Sequence, residues 1–293
     1  MSQNYNILSN YPKVFMLFCN YITIICKNKY EKFASYVFYY YFCKMNHKVM
    51  VFCLCGIVLF LTLSVYLRAP LVVGSLTKQT MYLWFLDCWY GQSRHSKARV
   101  MLVDDDSEEG IFKIKKICDE AGVKAAFAVI PSRIDNVLGD SLRMWQKEGF
   151  GICLHGYNHD HWKDWSYDAV TEDIDKSNKT LAKMGFHTEK IKYIVPPHSS
   201  NTVNIRKAIE DKKYQMICGA NIVNPDTNLF QLGRLFISKA TDLNKIKIIL
   251  EKAKNKKMFV ILGTHSSDPE EFSEEKTKAV LHLAKEMKYE FYY

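Results

Sequence analysis

The chain has 293 residues, of which 48% are hydrophobic and 14% aromatic. This excludes a disordered or low-complexity protein and allows one or two hydrophobic cores. The net charge of +9 is unevenly spread: residues 1–68 hold seven Lys/Arg and one acid, Glu31, leaving 33 basic and 30 acidic groups for the remaining 225 residues. A body so close to balance, with no basic stripe, excludes nucleic acid as a partner.

Residues 1–49 are dense in Tyr, Phe, Asn, Ile and Lys and are expected to be a cytoplasmic N-terminal segment. A start at Met45 or Met50 would reduce this segment to a short basic leader or remove it. Met50–Leu67 is 18 residues without a charge, close to the ~20 that a helix needs to cross a bilayer, and 50–67 is expected to be a transmembrane anchor. Lys44, His47 and Lys48 precede it, which keeps the N-terminus inside and sends the body to the extracytoplasmic side as a single-pass protein. A cleaved leader fits less well, because "SVYLRAP" has no small-x-small site. Residues 68–97 are expected to be a stalk or extension. Of nine cysteines, five lie before residue 56, and Cys118 and Cys153 sit in apolar positions as small hydrophobes. No spacing among the nine marks a zinc ribbon or a disulfide framework.

From Ala98 onward, short β-branched runs alternate with longer amphipathic ones. "ARVMLV" (98–103) predicts a strand, 108–121 a helix, "VKAAFAVI" (123–130) a strand and 136–148 a helix. "GICL" (151–154) is a strand, 168–184 a helix, "KYIVP" (192–196) a strand and 202–212 a helix. Strands follow at 214–220 and 233–238, then a helix at 241–255, a strand at 258–263, a helix at 270–287 and a final "EFYY". Such βα alternation implies parallel strands with right-handed crossovers. The expected fold is α/β, a distorted (β/α) barrel of about seven strands over residues 98–293, with an N-terminal transmembrane helix before it.

In parallel α/β folds the chemistry lies at the C-terminal ends of strands. Here Asp104-Asp105-Asp106 follow the first strand, His155-Gly-Tyr-Asn-His159 the third, Pro196-Pro197-His198 the fourth and Thr264-His265 the last. Singly, each group has an ordinary explanation: aspartates favour turns and helix starts, and a lone histidine caps or solvates. Together they supply one Asp with His155 and His159 for a borderline metal, leaving a coordination position open. A second Asp could take a proton from a water, and a histidine across the rim could protonate a leaving group.

The ordered set "LVDDDSEEG", "HGYNH", "VPPH" and "LGTH", with "AGVKAAFAV" between the first two, resembles the polysaccharide deacetylase (NodB-homology) family, carbohydrate esterase family 4, over about residues 98–293. The resemblance implies metal-dependent N- or O-deacetylation of a glycan, as a hydrolase of C–N bonds other than peptide bonds. Carried over by position, it implies Asp104 as catalytic base, Asp105, His155 and His159 as metal ligands, and His265 as catalytic acid. The implied cofactor is a divalent metal, for which this ligand set suits Zn2+. Tyr157, Trp162 and Pro197 are candidate substrate-binding residues, with core packing the alternative for the aromatics. Departures are Val195 in place of the family's third-motif arginine, Asp106 in place of the first-motif glycine, Gly156 after the first histidine, and "GANIVNPD" where the fourth motif would lie. Arg234 is the candidate replacement cation. Two other functions stay open: a glycan-binding module without turnover, and a phosphatase using Asp104 and Asp106. The glycan partner and the oligomeric state are not specified by the sequence.

Overall fold

The computed structural model describes the backbone at 71–72 and residues 96–106, 108–219 and 221–293. The anchor expected at 50–67 lies outside them. Among the described residues no helix is long and apolar enough to cross a membrane.

Seven staves form a mostly parallel, nearly closed barrel. They are β2 (Arg99–Asp104), β3 (Ala126–Val129), β4 (Gly151–Leu154), β5 (Tyr193–Ile194), β6 (Gln215–Cys218), the pair β8 (Gln231–Gly233) and β9 (Leu235–Phe236), and β10 (Phe259–Thr264). The lateral order is β8-β6-β5-β4-β3-β2-β10-β9. β1 (Leu71–Val72) and β7 (Ile222–Val223) form a separate antiparallel pair. β11 (Glu290–Phe291) pairs with the start of β2, whose far end pairs with β3. The helices are α1 (Ile111–Ala121), α2 (Asn136–Lys147), α3 (Tyr167–Lys183), α4 (Val203–Asp211), α5 (Leu243–Asn255) and α6 (Glu274–Glu286). Asp135, Ser166, Thr202, Asp242 and Ser273 cap α2 to α6 by accepting a backbone N–H from the first turn, each satisfying a donor that the helix itself cannot.

The strands are apolar on both faces because both faces are covered. Met101, Val103, Ala126, Ala128, Cys153, Tyr193, Val195, Ile217, Phe259 and Ile261 fill the barrel interior. Val100, Leu102, Phe127, Val129, Ile152, Leu154, Ile194, Val260 and Leu262 face the helices. This period-two alternation fixes what the strand ends do. Asp105 and His265 continue the interior rows 101–103 and 259–261, whereas Asp104 and Thr264 continue the rows that face the helices.

The strand expected at 233–238 is instead a seam. Gln231–Gly233 pairs with β6, and two residues later Leu235–Phe236 pairs with β10 at the opposite edge of the sheet. Arg234 lies between the two pairings, so the chain crosses from one edge to the other at that residue. Gly263 makes room for it: a Cβ there would lie 2.9 Å from Arg234 Cδ and 3.1 Å from the Phe236 ring. The helix expected from 108 starts at Ile111; Gly110, just before it, is pressed against Ser266, where a Cβ would meet the backbone carbonyl at 2.3 Å. Both glycines serve close approach rather than turn geometry.

Gly263→Ala is expected to destabilise the protein by about 1–3 kcal/mol, the usual effect of overpacking a closed site. Urea denaturation of the variant against the wild type checks this, and an unchanged midpoint would remove the steric role of Gly263 at the seam.

Candidate active site

Three histidines and three aspartates gather at the C-terminal ends of β2, β4 and β10. His155 Nδ1 donates to the Val195 carbonyl at 2.7 Å. A carbonyl only accepts, so the proton is on Nδ1 and Nε2 is left facing the cleft. Nε2 of His155 and Nε2 of His159 each lie 3.3 Å from the same atom, Asp106 Oδ1. That oxygen is buried and has no hydrogen bond of good geometry. Burial and the neighbouring His155 push the His159 imidazole down to about 4, so it is neutral at pH 7, as a metal ligand must be. A carboxylate oxygen and two ring nitrogens converging on one point, with the oxygen otherwise unsatisfied, fit a divalent cation. Asp106, His155 and His159 could hold one metal ion, their donor atoms all lying within 4.8 Å of one another.

The backbone is bent to bring them there. Asp106 (φ 71), His159 (φ 65) and His198 (φ 52) all occupy the left-handed region, which costs energy for residues with a Cβ and clusters at functional sites. Gly156 sits at φ 74, and a Cβ there would lie 2.7 Å from Pro197 Cγ, so the position after His155 is closed to any side chain. Asp173 of α3, buried, accepts the Tyr157 N–H at 2.8 Å and holds the turn between the two ligands.

The two remaining aspartates have separate jobs. Asp104 faces the helices and is fully buried; its Oδ1 accepts from the Thr264 hydroxyl at 2.6 Å and the Ser266 N–H at 2.9 Å, and its Oδ2 from the Ser266 hydroxyl. Burial pushes its carboxyl up to about 7 against those hydrogen bonds. With both oxygens engaged it has no access to the cleft, either as a catalytic base or as half of an Asp104–Asp106 phosphatase pair. Asp105 faces inward and is gripped by Arg234, Nη1 to Oδ1 and Nη2 to Oδ2, each at 2.7 Å. His265 Nε2 lies 3.3 Å from the same Oδ2. Burial raises the Asp105 carboxyl, but Arg234, His155 and His265 outweigh it and hold the group well below the usual carboxylate range.

Thus the carboxylate between the imidazoles is Asp106, where sequence position had indicated Asp105. Asp105 stands where Asp104 had been expected to work, a shift of one residue. Arg234, the candidate cation, pairs with Asp105. Trp162 is fully buried in the core on the helix side and has no face for a sugar. Pro197 is buried against Gly156, and half-buried Tyr157 has the Lys176 ammonium 3.7 Å from its ring centroid. His198, without a role in the sequence, donates Nε2–H to the His159 carbonyl at 3.0 Å and stacks on His161 at 3.4 Å between ring centroids. Asp173 and Glu271, whose Oε2 lies 3.1 Å from His265 Nδ1, carried no signal in any motif.

Residues 91–217 match the family model described as polysaccharide deacetylase. Among solved structures, the fold is similar to the Xyl-CE4 domain of a multidomain xylanase from the hindgut metagenome of Trinervitermes trinervoides (TM-score 0.51, 15% identity, covering 67% of this chain and 87% of that one). It is also similar to a family 4 acetyl xylan esterase from Clostridium thermocellum, solved with a cobalt ion (TM-score 0.50, 18% identity, covering 66% and 86%). At these identities the likeness establishes a shared fold. A curated relative, an uncharacterised protein of Methanocaldococcus jannaschii, is 41% identical over 59 residues, 20% of this chain and 24% of its own length. This chain therefore matches about a quarter of that relative. Residues 91–217 thus carry the match to the polysaccharide deacetylase family, and the fold is shared with solved family 4 carbohydrate esterases.

Burial works against a charge on His265, but the carboxylates of Asp105 and Glu271 raise its imidazole to about 9 from the ordinary 6.5. The folded state therefore holds this proton where the unfolded chain would release it. The resulting stabilisation is complete below about pH 6.5 and is lost as the pH rises through about 9. NMR titration of the metal-free protein is expected to show the His265 ring titrating near pH 9. A midpoint at or below 6.5 would contradict the paired geometry.

Proposed function

We propose that the protein is a metal-dependent hydrolase that removes N- or O-acetyl groups from a cell-envelope or extracellular polysaccharide, with Zn2+ as the fitting ion. The observation that carries this reading is the convergence of Asp106, His155 and His159 beside an arginine-held carboxylate. The family match and the cobalt ion in the Clostridium thermocellum esterase support it. The anchor at 50–67, with the catalytic domain outside the cytoplasm, is carried by the N-terminal sequence alone.

Asp106, His155 and His159 would hold the ion; His155 is aimed by the Val195 carbonyl and His159 is kept neutral. A divalent ion bound there supplies Lewis acidity, polarising an acyl carbonyl and making a water acidic enough for a weak base. Asp105 is that weak base: Arg234 fixes both its oxygens and keeps it ionised, and it accepts the water's proton at Oδ2. His265, charged at neutral pH, donates its Nε2 proton to the departing amine or alkoxide. Water has then added across the acyl bond, and Asp105 holds the proton that His265 lacks. The 3.3 Å contact between Oδ2 and Nε2 lets that proton pass back and resets the pair. Arg234 thus does for Asp105, from the β8–β9 seam, what the family's third-motif arginine would do from the place that Val195 occupies.

Acetate release from acetyl-chitooligosaccharides by the full-length protein is the test. Release is expected with Zn2+ and is expected to be lost on chelation. Asp105→Asn is expected to lower it by at least about 100-fold, the scale of a lost general base. Turnover unchanged by chelation or by Asp105→Asn would overturn the mechanism. Oligosaccharide binding without acetate release would establish a binding module instead.

A further inference from the structure

His265 sits in a socket made from three directions. Asp105 Oδ2 approaches Nε2 at 3.3 Å, Glu271 Oε2 approaches Nδ1 at 3.1 Å, and the Phe236 ring packs at 4.5 Å between centroids with a tilt of 60°. Asp105 and Phe236 belong to the barrel and its seam. Glu271 belongs to the loop between β10 and α6, and its carboxylate is about half exposed. An exposed ion pair of this kind adds little to stability, so stability alone does not explain it.

The backbone around Glu271 is braced. Its N–H donates to Asp268 Oδ1 at 3.2 Å, and its carbonyl accepts the Lys239 N–H at 2.7 Å. Asp268 in turn donates its N–H to the His265 carbonyl at 3.1 Å and accepts the Phe272 N–H at 2.8 Å. The loop is therefore pinned to the histidine it serves and, through Lys239, to the segment that follows the seam.

We propose that Glu271 is a positioning residue for His265: it accepts the Nδ1 hydrogen and so turns Nε2–H toward the leaving group of the acyl substrate. This rests on the deacetylase reading and on His265 as the proton donor. The step in which Glu271 acts is cleavage of the bond from the acyl carbon to nitrogen or oxygen. The electron pair of that bond goes to the leaving atom, which takes the Nε2 proton; Glu271 keeps its charge throughout. An amine cannot depart without that proton, whereas a nitrophenolate can, and the role therefore has a signature that depends on the leaving group.

The experiment compares wild type, Glu271→Gln, Glu271→Asp and His265→Ala, all full-length and loaded with Zn2+, on acetyl-chitooligosaccharide and on 4-nitrophenyl acetate. For Glu271→Gln, kcat on the acetamido sugar is expected to fall by about 10- to 100-fold, within the scale of proton-transfer catalysis, with KM unchanged and the aryl ester little affected. Glu271→Asp is expected to recover part of the loss. Independently of turnover, long-range 15N–1H NMR of the metal-free protein is expected to show an exchange-protected Nδ1–H on His265 that loses protection in Glu271→Gln.

If His265→Ala is inactive on the sugar while Glu271→Gln matches wild type on both substrates, the role of Glu271 is overturned and the deacetylase reading stands. An equal loss on both substrates, or a change in KM alone, would also overturn it. Absence of acetate release from wild type would overturn the function and this role together, even with the Nδ1–H intact.

Discussion

The structure depends on one ion pair, Arg234 with Asp105. Both groups are almost wholly buried, at 3% and 1% side-chain exposure. Two charges in such a place are costly unless each satisfies the other, and removing one partner typically costs about 3–5 kcal/mol. The fold meets this requirement with two parallel 2.7 Å contacts and with the absence of a side chain at Gly263. Arg234 is also the residue at which the chain crosses from one edge of the sheet to the other. Closure of the barrel and placement of the inward carboxylate are therefore a single structural event. A separate positioning arginine at Val195 is not needed, and the interior there is apolar instead.

From this pair the rest of the rim follows. Asp105 fixes one side of His265. Asp106, one residue on and bent into the left-handed region, turns toward His155 and His159. Asp104, one residue back, turns away and ties β2 to Thr264 and Ser266. Three successive aspartates thus point in three directions, because strand alternation and one left-handed φ separate them. Electrostatics separate them too: burial raises Asp104 toward neutrality, while Arg234 keeps Asp105 ionised. Titratable neighbours pushed apart in this way support the acid–base roles proposed for the site.

The barrel was legible in the sequence because β-branched runs and amphipathic runs alternate so regularly. The rim was legible too, because the ends of parallel strands collect polar groups. The register of the aspartates was not. Residues 100–103 are apolar on both faces, so no inside–outside contrast marks which row Asp104 joins, and a one-residue slip moves every side chain to the other face. Arg234 was visible as a stray cation, but its partner lies 129 positions away, beyond any local pattern. Trp162 was open to two readings, a sugar platform or core packing, because local sequence does not show which way a ring near a site turns; its ring is spent on the core. Glu271 and Asp173 belong to no motif; one lies in a polar loop and the other faces inward from the middle of α3, and only the folded chain brings either to the site.

In the proposed metal site Asp106, and not Asp105, is the carboxylate ligand beside His155 and His159. Calorimetric titration of Zn2+ into full-length wild type, Asp106→Asn and Asp105→Asn tests it most directly, with circular dichroism verifying that each variant is folded. Asp106→Asn is expected to weaken ion binding by at least about tenfold, since even groups that merely orient ligands cost about 10–100-fold when removed, while Asp105→Asn is expected to bind within a few-fold of wild type. Near-normal binding by Asp106→Asn with binding lost in Asp105→Asn would contradict the assignment and return the ligand role to Asp105.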